Sequence, residues 1–496
     1  MINLKRFILF ALIFVIILTP LASCSKAAET KDEKVSDNDT PTNEIADSAE
    51  EIPPEYQLDV FDWDKRIFNI LVNYNPDSVW GDVDFTSVEE STGDPVNDAV
   101  YMRNALIEEM FNVKINIIPG QRDGHINLIR NAVKAGDNSY DITFNTPREN
   151  YTLFLEGLLE DLFMIDSIDL DAYFWDSNSA KDLSVMNKLY MATGDISLMP
   201  KRSLNTLMFN KKLIADYNYE SPYTYLKDDT WTIDKFTQMC RDFENNINTT
   251  ADMPIVERQF SILTFNDMMP LSLLGGGIEF AGKNSDDIPE ITFWSEKTAT
   301  IFEKIADILF DKNICFNWQI ENLNIPQISE TKFMANQSMF YWAELRSVEI
   351  IRGMEADFGI LPVPKYDESQ VGYCHTVNPW VAMLMAIPIR SDNELEKVGA
   401  VTNAYAKLGH DMLIPAYYEV TLQRKISRDD ESEISIDIIL DTMRYDQGYM
   451  YNWGNIGGFT LNLKPEKLAS SYEKIETAAK KDLQKMIDKL DAIGGN

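Results

Sequence analysis

Hydrophobic positions along this chain follow three patterns: one long continuous run near the start, short alternating or continuous stretches of strand length, and repeats at helical spacing. Ile67-Phe68-Asn69-Ile70-Leu71-Val72 predicts a strand that runs into a polar loop at Asn73. Val96, Ala99, Val100, Ile107, Met110 and Phe111 recur as on one face of a helix. Val113, Ile115 and Ile117 then alternate, a helix is expected around Ile126 to Ala135, and Tyr140 to Phe144 reads as a third strand. Strand, helix, strand, helix, strand opens a parallel sheet covered by helices. Ligands of such sheets bind beyond the carboxyl ends of the strands, here Asn73 to Asn75 and Asn145 to Arg148.

Further along, Ser203 to Asn210 predicts another strand, and Trp231-Thr232-Ile233-Asp234-Lys235-Phe236 a helix start with Thr232 or Asp234 as cap. Gly275-Gly276-Gly277 lacks the spacing of a phosphate loop and reads as a turn. Phe358 to Pro364 is an apolar strand ending in prolines, suited to a stiff connection between lobes. A helix is expected over Glu394 to Ala406, and a last one from about Lys464 to Ile493 with Leu468, Tyr472, Ile475, Leu483, Met486 and Leu490 on one face.

The 496 residues exceed what one hydrophobic core organises, so more than one lobe is expected. With 79 acidic against 45 basic side chains the formal charge is -34, which removes the electrostatic basis of nucleic-acid binding. Three His and four Cys leave little for a metal site, and no cofactor is expected. Catalytic signatures such as G-x-S-x-G, H-E-x-x-H and G-x-G-x-x-G are missing from the sequence, and acidic pairs such as Glu89-Glu90 discriminate nothing in so acidic a chain. No catalytic residue is assigned. Cys240, Cys315 and Cys374 are read as buried free thiols.

The chain opens with Lys5 and Arg6, an apolar run from Phe7 to Leu18, and Leu21-Ala22-Ser23-Cys24. This order predicts a signal peptide over 1–23. The last four residues resemble the lipobox of bacterial lipoproteins, which makes Cys24 the lipidated first residue of the mature chain. Residues 24–56, acidic and poor in aliphatics, predict a disordered tether.

Several segments of the body carry a family resemblance: Thr92 to Tyr101, Ala135-Gly136-Asp137 leading to Tyr140-Asp141-Ile142, Lys188-Leu189-Tyr190 leading to Thr193-Gly194-Asp195, Trp231 to Phe236, and Asp357 to Pro362 with Pro364 to Glu368. In order and spacing they resemble the extracellular solute-binding lipoproteins of bacterial ABC importers, in the family that includes carbohydrate binders. The resemblance implies an α/β, two-lobed periplasmic-binding-protein-like fold of class II, each lobe a mainly parallel sheet flanked by helices. Residues 57–194 with 363–408 would form the first lobe and 195–362 with 409–496 the second. It further implies a monomer, lipid-anchored on the outer side of the membrane, that delivers a small polar solute to permease subunits. Hinge crossings are expected near Gly194-Asp195, near Gly359 to Pro364 with Gly359 and Pro362 as hinge residues, and near Lys407 to His410.

A sugar presents C–H faces that stack on indoles and hydroxyls that need fixed polar partners. Trp80 with Asp82, Trp342 with Glu344 and Arg346, Trp380 after Asn378-Pro379, and Trp453 offer that mixture and are the candidate ligand contacts. Arg148 and Arg346 would suit the chain end of a peptide ligand. Trp231 and Trp175 are expected to be structural. Three other readings remain open at this level: a peptide-binding importer component, a secreted lipoprotein glycan hydrolase using a carboxylate pair, and a surface adhesin.

Overall fold

The computed structural model describes residues 56–73, 84–86, 92–120, 124–247, 253–321, 323, 325, 327–418 and 430–494. The expected signal peptide, Cys24 and the acidic tether up to residue 55, together with Trp80 and Asp82, lie outside the described residues.

Strand β1 (Arg66–Asn73) becomes fully buried along its second half, as a strand covered on both faces must. Helix α1 (Pro95–Phe111) follows, started by Asp94, whose carboxylate accepts the Asn97 N–H, and by Pro95 in the first turn. It ends at Asn112, which takes a left-handed conformation with φ 47°. Strand β2 (Val113–Gly120), helix α2 (His125–Ala135), strand β3 (Ile142–Asn145) and helix α3 (Pro147–Leu155) complete the run. Both β2 and β3 lie parallel to β1, with Ile70 between Ile117 and Ile142.

The chain then builds a second sheet. Its elements are β4 (Asn205–Asn210), α4 (Ile233–Asn246), β5 (Phe260–Thr264), α5 (Met268–Gly275), α6 (Glu296–Leu309), β6 (Cys315–Asn317), α7 (Ile328–Met334), β7 (Ser338–Glu344) and β8 (Phe358–Leu361). Thr232 caps α4 by accepting the Lys235 N–H. The strand order is β8-β4-β7-β5-β6, with β5 parallel to β6 and β7, and β4 antiparallel to β7 and β8. The chain returns to the first sheet as β9 (Leu384–Ala386), antiparallel to β3, giving the order β9-β3-β1-β2. Helix α8 (Leu395–Leu408) and the terminal helix α9 (Leu468–Gly494) follow, the latter burying Leu468, Tyr472, Leu483, Met486 and Leu490. The fold is thus α/β, with two mixed sheets under helices.

Two segments that link the sheets run antiparallel to each other, held by bridges Ala192↔Met385 and Leu204↔Val377. A third link leaves α8 through the π-helical turn Gly409–Leu413. Contrary to the expectation from the sequence, the chain does not cross between the sheets at Gly359 and Pro362. Gly359 is inside β8, opposite Phe209 of β4, and a Cβ at Gly359 would collide with the Phe209 ring and the Tyr223 hydroxyl. The Pro362 carbonyl accepts the Trp231 indole N–H at 2.9 Å. Both belong to the packing of the second sheet, and the return link lies later, at 377–385. Cys240 and Cys315 are buried free thiols, and Cys374 is a half-buried one.

Candidate functional site

Strands β5, β6 and β7 are parallel, so their carboxyl ends share one edge of the second sheet. A cleft of about 640 Å³ opens there. Asn266 and Asp267 enter it after β5, Trp318 and Gln319 after β6, and Glu344 and Arg346 at the end of β7. The link 378–381 contributes Asn378, Trp380 and Val381. Trp318 and Trp380 are 41% and 43% exposed, so each keeps a large part of its indole surface open to a ligand.

The link is tied to both sides of the cleft. The Asn378 N–H donates to the Ser203 carbonyl at 3.0 Å, and its carboxamide donates to Glu344 Oε1 at 2.9 Å. Its Oδ1 accepts the Trp380 backbone N–H at 3.0 Å, which holds the turn that carries the indole. Arg148, in the first turn of α3, comes from the first sheet, where Thr146 and Glu149 form a reciprocal cap. Its guanidinium carbon lies 3.8 Å from the centroid of the Trp380 ring.

Burial governs the charges. It pushes Asp267 up to about 6 against the pull of Arg148, and it raises Glu344 although the Asn378 amide opposes this. Burial also lowers Arg148, against the pull of Tyr449 and Asp267, and lowers Arg346. The site therefore offers accepting carboxylates, donating guanidinium groups and open indoles side by side.

Glu344, Arg346 and Trp380 line the cleft, and Arg148 stands over it through Trp380. The structure places two other candidates elsewhere. Trp342 is fully buried on the far face of β7, with its indole N–H given to Asn205 Oδ1 at 2.8 Å and its ring against Phe236. Trp453 is buried beside α9 and donates to the Tyr151 hydroxyl at 3.1 Å. Neither has surface left for a ligand. Trp231 and Trp175 are buried, as expected for structural side chains. Trp318, directly after the three-residue β6, and Asp267, three residues after the end of β5, were missed, because neither carries a sequence signal of its own.

The expected hinge residues Gly194 and Asp195 lie in the outgoing link. Asp195 accepts from Lys201 Nζ at 2.7 Å and lies 2.7 Å from His410 Nδ1 in the third link. Burial alone would raise Asp195, but Lys201 and His410 outweigh it and hold the carboxyl below its ordinary value.

A second cleft, of about 590 Å³, opens at the other end of α5. Its charges are engaged with each other and with the backbone: Lys283 pairs with Asp287 at 2.8 Å, and Asp446 accepts the Phe280 N–H at 2.7 Å. Among the described residues no group of three or more His, Cys, Asp or Glu side chains is placed to hold a metal ion. No helix among them is long and apolar enough to cross a membrane.

No family model and no curated protein matches the sequence. Solved structures do match. An ABC substrate-binding protein from Listeria monocytogenes in complex with cycloalternan is 12% identical, with TM-score 0.52, over 86% of this chain and 99% of that one. UgpB from Mycobacterium tuberculosis in complex with glycerophosphocholine is 13% identical, with TM-score 0.53, over 83% and 99%. The maltose/maltodextrin-binding domain MalE from Bdellovibrio bacteriovorus bound to maltotriose is 12% identical, with TM-score 0.52, over 84% and 100%. This chain is similar to them in fold: it has the two-lobed architecture of periplasmic-binding-protein-like chains.

Proposed function

We propose that this chain is the solute-binding component of an ABC importer and that it captures a sugar or short oligosaccharide between its lobes without transforming it. The observation that carries this reading is the cleft at the carboxyl ends of β5, β6 and β7, where the half-exposed Trp318 and Trp380 stand next to Asp267, Glu344 and Asn378. Indoles take the C–H face of a sugar ring, and the carboxylates and carboxamide take its hydroxyls. The fold supports the same reading, because chains of that fold bind cycloalternan and maltotriose. Lobe boundaries at residues 194–195 and 408–409 with the return crossing within 377–385, a lipid anchor at Cys24, an extracellular location and permease partners complete the proposal.

Isothermal calorimetry of the purified chain against mono-, di- and trisaccharides tests it. Stoichiometric binding is expected, with the sugar recovered unchanged by chromatography. Turnover of the sugar, or no heat with any of them, overturns the reading.

A further inference from the structure

How a ligand would be gripped follows from polar groups in and beside the cleft that have no hydrogen-bond partner among the described residues, and this rests on the carbohydrate-binding reading above. Arg148 Nε is buried, and the guanidinium donates to no acceptor among the described residues. Asp267, just ahead of α5, lines the cleft, and its carboxylate accepts from no donor among the described residues. The two attract each other across the gap but do not close into a salt bridge. Tyr449 feels both charges, and its buried hydroxyl also has no partner among the described residues. On the second-sheet side, the hydroxyls of Thr264 and Ser329 line the same cleft, and neither has a partner there, although both residues are buried, at 1% and 3% exposure.

Such groups are costly to bury unpaired. A guanidinium can only donate and a carboxylate can only accept, so the group that satisfies both must do each at once. A hydroxyl does, and two adjacent hydroxyls span a wider gap. An ammonium would pair with Asp267 and be repelled by Arg148. A carboxylate or phosphate would pair with Arg148 and be repelled by Asp267 and by Glu344 behind it.

We propose that Arg148 and Asp267 form a clamp, one jaw on each sheet, that is completed by the hydroxyls of a neutral sugar and that discriminates against amino sugars and sugar acids. Because the jaws belong to different sheets, the ligand that joins them also ties the two lobes together.

The test is calorimetry of the full chain with maltose, maltotriose, glucosamine and glucuronic acid, at pH 7.5 and 5.0, for the wild type, Arg148→Met and Asp267→Asn. Met keeps the aliphatic stem over Trp380, and melting curves establish that each variant is folded. A neutral sugar should bind the wild type at least tenfold more tightly than either charged one. Each variant should weaken that sugar by roughly ten- to a hundredfold, the range for a hydrogen bond to a charged group. Asp267 faces Arg148, Tyr449 and Glu344, with Arg346 and Glu330 elsewhere on the cleft wall. If its ionised form is the one that binds, wild-type affinity falls about tenfold from pH 7.5 to 5.0, and Asp267→Asn flattens the profile. The wild-type profile needs no variant to fold. Variants within twofold of the wild type, a flat wild-type profile, or preference for a charged sugar overturns the clamp and leaves the function standing. Failure of every sugar to bind the wild type overturns both.

Discussion

Trp342 and Trp380 are equally aromatic and sit in equally polar sequence, yet the backbone gives them opposite tasks. In a strand, successive side chains point to opposite faces. Tyr341 and Ala343 of β7 face the cleft, so Trp342 between them points into the helix-covered side against Phe236. Trp380 follows an Asn-Pro turn instead, where the Asn378 carboxamide holds its backbone and leaves the indole open. Truncation should separate the two roles. Trp342→Ala removes a fully buried ring and its bond to Asn205, and is expected to cost about 3–5 kcal/mol in chemical denaturation. Trp318→Ala and Trp380→Ala should each leave stability within about 1 kcal/mol of the wild type. Both should weaken sugar binding tenfold or more in calorimetry. A Trp342→Ala protein that stays as stable as the wild type, or a Trp380→Ala protein that keeps full affinity, would contradict these assignments.

At the scale of elements, Gly359 shows where a strand can be mistaken for a link. The run Phe358 to Pro364 ends in prolines, and proline-terminated apolar segments serve edge strands and connectors alike. Only the pairing with β4 decides between them, and that pairing partner lies about 150 residues away in sequence. Gly359→Ala is therefore expected to act as a core substitution. The added methyl meets the Phe209 ring and the Tyr223 hydroxyl, so unfolding should be easier by about 1–3 kcal/mol while affinity for a bound sugar changes less than threefold. A large change in affinity with unchanged stability would restore the hinge assignment. The same locality limit explains what was legible. Long periodic segments such as β1, α1 and α9 carry their own signal, and so does the cap at Thr232. β6 is three residues long and offers almost no pattern, so Trp318 behind it could not be placed on the cleft. Arg148 was legible because it follows a strand with clear hydrophobic pattern. Asp267 was not, because its role depends on a charge from the other sheet.

For the whole molecule, the links between the sheets are the segments about which the proposed lobe closure would turn. Antiparallel links 192–204 and 377–385 are bridged near both ends, so they bend together. The third link is fixed to the first: a Cβ on Gly409 would collide with the Asp195 carbonyl, and His410 lies beside the Asp195 carboxylate, which Lys201 also holds. The proposed closure would therefore bend the links away from this node and toward the stretch between the two bridges, which carries Trp380. The node should also have its own pH signature. Its hydrogen bond to Asp195 raises His410 above its ordinary value, against burial and Lys201, with Asp411 adding to the rise. A histidine raised in the folded state contributes stability that is complete below its unfolded pKa and lost as pH rises through the folded one. Asp195, lowered in the folded state, loses its contribution only as the pH falls below the ordinary carboxylate range. The window of full strength is thus mildly acidic. His410→Ala should lower the melting temperature more at pH 6 than at pH 8.5, and because the ring is 42% exposed, solvent screening holds the difference below about 1 kcal/mol. An equal loss at both pH values would mean that the ring acts by packing against Tyr173 rather than by charge.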